Sequence, residues 1–111
     1  MGSTKVEYKD RVEWRNKKGE LHRTNGPALE KSNGDKFWLL NGQLYREDGP
    51  AIEWSNGSKF WYLNGKRHRE DGPAIEKSNG LKYWYLNGKE YSEELWEKEV
   101  MRIKLKRLSE L

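Results

Sequence analysis

Residues 44–66 read LYREDGPAIEWSNGSKFWYLNGK, and the chain on either side says the same thing again. Residues 21–43 read LHRTNGPALEKSNGDKFWLLNGQ, and residues 67–89 read RHREDGPAIEKSNGLKYWYLNGK. The second and third copies agree at 18 of 23 positions and the first and second at 15. A period this short marks a stack of supersecondary units, each burying its apolar face on its neighbours.

Each copy holds two Asn-Gly pairs separated by a short aromatic run. Asn-Gly is a strong signal for a two-residue hairpin turn, in which both central residues take positive φ. With Asn33-Gly34 as such a turn, Lys31 faces Lys36, Glu30 faces Phe37 and Leu29 faces Trp38. The second pair, Asn41-Gly42, leads into the next copy. The Arg46–Gly49 stretch ahead of Pro50 is expected to be irregular. The fold class that follows is mainly β: a single-layer antiparallel meander of 23-residue hairpin repeats, closed by a C-terminal helix.

That register divides the side chains into two faces. Leu29, Ile52 and Ile75 fall with Trp38, Trp61 and Trp84 and with Leu40, Leu63 and Leu86, and this face is expected to be the core. Ala28, Ala51 and Ala74 fall on the other, with Glu30, Glu53 and Glu76. That second face also carries Phe37, Phe60, Tyr62, Tyr83 and Tyr85. Aromatic residues are enriched where proteins meet partners, so these five are candidate binding residues.

Residues 1–20 read as a degenerate capping hairpin, with Val12-Glu13-Trp14 alternating as a half-buried strand. The three copies occupy residues 21–89, and residues 90–111 form an amphipathic helix within the same expected domain. Ser92 is its N-cap, Glu93 and Glu94 sit in the first turn, and basic residues crowd the last. Trp96, Val100 and Ile103 form one apolar line, expected against the last hairpin. Met101, Leu105 and Leu108 form another with no evident cover, either a dimer seam or a partner site. Arg102 and Lys104 beside it favour an acidic partner surface.

Composition narrows the function. Only 33% of residues are hydrophobic and 36% are charged, so the core must be thin and built from the six Trp, six Tyr and two Phe. The net charge of +4 is mild and both signs are interspersed. There is no cysteine, hence no disulfide and no thiolate metal site. No apolar run approaches the ~20 residues of a membrane span, and no signal-like segment follows Met1. A cytoplasmic protein without cofactor or metal is the expectation. His22 and His68 share a repeat slot with Tyr45, which speaks for structure rather than catalysis. Glu47-Asp48 and Glu70-Asp71 lack the spacing of a calcium loop and read as turns.

The stretch Asn-Gly-x-Lys-Phe/Tyr-Trp-x-Leu-Asn-Gly, at 56–65 and 79–88, resembles the MORN-type repeat, most closely its short bacterial and phage variant. The resemblance covers Leu21–Lys89 and departs at Gly-Pro-Ala (26–28, 49–51 and 72–74). It implies a hairpin sheet that binds proteins or membrane lipids, and some bacterial members are antitoxins or immunity proteins. The expected function is therefore a non-enzymatic protein-binding module, an adaptor or inhibitor working through its aromatic face and helix. The alternative is single-stranded nucleic-acid binding by the aromatics and Lys/Arg, against which the three glutamates would repel phosphate.

Overall fold

The computed structural model describes residues 2–111; Met1, the first residue of the expected capping hairpin, lies outside them. The N-terminal hairpin is β1 (Thr4–Glu7) and β2 (Arg11–Arg15). The first copy supplies β3 (Leu29–Lys31), β4 (Lys36–Phe37), β5 (Leu39–Leu40) and β6 (Gln43–Leu44). The second supplies β7 (Ile52–Glu53), β8 (Lys59–Phe60), β9 (Tyr62–Leu63) and β10 (Lys66–Arg67). The third supplies β11 (Ile75–Glu76), β12 (Lys82–Leu86) and β13 (Lys89–Tyr91), and α1 (Glu93–Ser109) follows.

Nine of these strands form one antiparallel sheet in the order β1-β2-β3-β4-β7-β8-β11-β12-β13, and β5-β6 and β9-β10 form two small hairpins beside it. The chain leaves one sheet for the other at Trp38 and at Trp61. Each of these two residues still reaches the next copy, donating its N–H to Ala51 O and Ala74 O at 2.7 Å. The molecule is a slab 46 × 37 × 18 Å. No helix lies between Val12 and Leu86, as the turn chemistry requires.

The two Asn-Gly pairs turn out to be different turns. Asn41, Asn64 and Asn87 have φ of 49°, 53° and 51°, and the glycines after them are also positive, so these are the expected two-residue turns. At Asn33-Gly34 only Gly34 is positive, at 102°. Lys31 N–H donates to Asp35 O and Gly34 N–H to Lys31 O, which makes a three-residue loop ending in a bulge. The Asn33 side chain accepts from Asp35 N–H at 2.9 Å, an Asx bond that keeps Asn33 out of the left-handed region.

The extra loop residue moves the register by one. Leu29 faces Phe37, not Trp38, and Glu30 faces Lys36, not Phe37. A one-residue slip exchanges the faces of a strand, so the expected two-face division is corrected. Leu29, Phe37, Ile52, Phe60, Ile75 and Tyr83 form one continuous row. Glu30, Lys36, Glu53, Lys59, Glu76 and Lys82 form the adjacent row on the opposite face, alternating in charge across every strand pair. Each such cross-strand pair contributes roughly 0.2–1 kcal/mol.

Burial follows the corrected faces. Ala28, Ala51 and Ala74, expected on the semi-exposed face, are wholly buried, whereas the expected core residues Trp38, Trp61 and Trp84 are only half-buried. Ile52 and Ile75 are buried on the Phe/Tyr side, and Trp54 wedges edge-on between Phe37 and Phe60 at 5.4 and 6.1 Å.

Candidate protein-binding surface

Arginine covers Trp14, Trp38 and Trp61, whereas Trp84 packs beside α1. The Cζ atoms of Arg23, Arg46 and Arg69 lie 3.8, 3.9 and 3.7 Å from the ring centroids of Trp14, Trp38 and Trp61. The same guanidiniums donate to the carbonyls of Pro27, Pro50 and Pro73 at 3.2, 3.1 and 3.0 Å. They also face Glu30, Glu53 and Glu76 at 3.5, 3.0 and 2.9 Å. The irregular Arg-to-Pro loop is thus wrapped on its own arginine, and Asp48 and Asp71 close on Arg46 and Arg69 rather than forming a cation site. Sequence reading passed over these arginines, although the Arg and the Glu recur at fixed positions in every copy.

Between successive loops run two open grooves. One, of about 780 Å³, is lined by Arg23, Trp38, Tyr45 and Arg46 among others. The next, of about 710 Å³, is lined by Trp61, His68 and Arg69 and closed by Lys104 and Arg107 of α1.

Both histidines hold turns. His22 Nδ1 accepts from Asn41 N–H and His68 Nδ1 from Asn87 N–H, each at 2.9 Å. An Nδ1 that accepts leaves the proton on Nε2, so His68 donates to Glu70 at 2.9 Å. Arg107 grips the same carboxylate with two bonds of 2.6 and 2.8 Å. These donors, Arg107 first and His68 after it, hold the Glu70 carboxyl below the usual range. The network fastens α1 to the loop beneath it.

The helix begins where Ser92 accepts from Leu95 N–H at 3.3 Å. Ser92 stands one repeat length after Arg69, so a helix cap replaces what would be the next loop arginine. Trp96 and Val100 are buried against Leu86, with Trp84, Tyr91 and Ile103 around them, and Trp96 Nε1 donates to Arg69 O at 3.0 Å. The second apolar line is open: Met101, Leu105 and Leu108 are 59%, 58% and 64% exposed. Of the two cations expected beside it, Arg102 is bonded along the helix to Glu99, whereas Lys104 has no acidic partner among the described residues.

The five sheet aromatics are all half-buried and belong to two settings. Phe37, Phe60 and Tyr83 stand in the apolar row with Leu29, Ile52 and Ile75, so they pack against the residues expected on the other face. Tyr62 and Tyr85 lie near the second turns, where Arg67 bonds both hydroxyls, at 3.3 and 3.2 Å. They are therefore partly engaged within the fold.

Comparison with protein-family models, with curated proteins and with solved structures found no match. Among the described residues no group of His, Asp and Glu is placed to hold a metal ion, and no helix is long and apolar enough to cross a membrane.

Proposed function

We propose that this protein is a non-catalytic, MORN-like protein-binding module, an adaptor or inhibitor of the antitoxin or immunity kind. It holds its partner on the Met101, Leu105 and Leu108 strip of α1. The carrying observation is that strip. Three large apolar side chains, each more than half exposed, stand on a helix whose other apolar line is already used against Leu86. Lys104 beside it supports an acidic rim on the partner. The half-buried aromatic row of Phe37, Phe60 and Tyr83 lies on the other side of the sheet from the Trp84 and Leu86 side chains that α1 packs on, and is a separate, second surface.

The nucleic-acid alternative loses support from the loops. The repeat guanidiniums that would meet phosphates are stacked on tryptophan and faced by glutamate, so these three arginines are already engaged within the fold. The test is capture of partners from the native host by the wild type and by a Leu105→Glu, Leu108→Glu double variant. The double variant is expected to keep the wild-type melting transition and lose the captured protein. Retention of single-stranded DNA with a steep salt dependence, unchanged in the double variant, would favour the alternative.

A further inference from the structure

The two ends of the nine-stranded sheet are finished differently. At one end α1 packs on β12 and β13. At the other, β1 is the last strand and nothing among the described residues pairs with its outer edge. The hydrogen-bond phase of the β1–β2 hairpin decides which groups face outward. Tyr8 N–H donates to Arg11 O at 2.8 Å, and Val6 pairs with Glu13 two residues further along. Antiparallel pairs alternate between bonded and non-bonded, so Val6 turns its peptide groups toward β2. Lys5 and Glu7 turn theirs outward. Consistently, Trp14, the partner of Lys5, spends its N–H on Ala28 O on the far side.

The geometry points to this edge as a two-fold interface in which β1 pairs antiparallel with β1 of a second copy, centred on Val6. In that register Lys5 of each chain lies opposite Glu7 of the other, and the outward N–H and C=O groups of both residues are exchanged in full. The two Val6 side chains meet at the axis, and Thr4 lies opposite Tyr8. Lys5 and Glu7 are both exposed, and within one chain they form only a loose contact of 3.5 Å. A short edge strand bearing charge deters pairing with strands of arbitrary sequence. A strand reading Lys-Val-Glu is complementary to its own reverse, so the same charges select a second copy of this chain. On this face the row of Glu30 passes through Val12 to Glu7, so each Glu7 reaches the outer edge without an acidic or basic neighbour across β2. Pairing at β1 leaves an α1 at each outer end, so the assembly closes at two chains.

The experiment is sedimentation of the full chain across concentration, wild type beside charge-reversal variants, with cysteine variants read by oxidation. Wild type is expected to show a monomer–dimer equilibrium. Lys5→Glu alone and Glu7→Lys alone each set like charges opposite at both symmetry-related pairs and weaken the dimer on the order of tenfold. The double exchange Lys5→Glu, Glu7→Lys is expected to restore it. Val6→Cys places the only thiol of the chain across the axis, at a Cα separation of about 4.5 Å that a disulfide spans. It is expected to oxidise to a linked dimer faster than Lys18→Cys. A wild type that stays monomeric at about 1 mM would overturn the proposal. So would a dimer indifferent to both single reversals but lost in Leu105→Glu, Leu108→Glu, which would place the seam on α1.

Discussion

Arg46 shows how a chain with so few aliphatic residues is held together. Its guanidinium fills the space between the Trp38 ring, the Pro50 carbonyl and the Glu53 carboxylate. It also lies against the Gly49 backbone, where a Cβ would come within 2.9 Å of Cζ. A Cβ at Gly49 would therefore displace the Arg46 guanidinium from its stack, and the cost falls on that stack rather than on backbone conformation. Gly57 is the contrast: its φ of 96° demands glycine, and a Cβ there would meet nothing within 4 Å. Gly49→Ala should destabilise wild type by about 1–2 kcal/mol and do much less in an Arg46→Ala background, a coupling within the usual range for residues in contact. Gly57→Ala should cost the same in both backgrounds. Urea melts of the two double-mutant cycles check this, and additivity at Gly49 would refute the clearance argument. The pattern was present in the sequence, since Arg, Gly and Glu hold fixed positions in all three copies. It escaped because the stretch was read as irregular, and a residue stacked on a ring leaves no period-two signature.

At the scale of the element, turn placement, the unpaired second line of α1 and the assignment of Trp96, Val100 and Ile103 to the last hairpin were all legible. The register of the first hairpin was not. Ser-Asn-Gly and Leu-Asn-Gly both contain Asn-Gly, and the difference lies in whether the Asn side chain captures a backbone N–H. The residue after that glycine carries a further signal. Asp35 accepts from Ser55 N–H at 2.7 Å, and Ser58 does the same for Ser78 N–H at 2.9 Å. The third copy has Leu81 there, half exposed, because no following copy presents a donor. Bonding from Ser55, then from Asn33, holds the Asp35 carboxyl below its usual value. A depressed folded-state value gives stability that is present above the unfolded value and lost as pH falls through the folded one. Asp35→Ser, which installs the second copy's residue, should therefore keep stability near neutral pH and lose less of it below about pH 4. Acid titration of the melting midpoint measures it, and parallel curves for the two proteins would contradict it.

For the whole molecule, the mainly β meander with a C-terminal helix followed from period and turns, while the distribution of burial did not. The expectation of one core face and one open face gives way to a slab with modest burial on both. Alanines and one end of the stack are packed on one side, and Ile52 and Ile75 on the other. No large side chain among the described residues is fully buried, and much of the contact is guanidinium on indole and on glutamate. Unfolding such a molecule hydrates polar surface along with apolar, and the two change the heat capacity in opposite directions. Calorimetry should give a heat-capacity increment below the usual 12–15 cal/mol/K per residue, with a value at or above about that range refuting the inference. The stability curve would then be a low, broad dome, letting this protein keep nearly the same margin across a wide span of temperature.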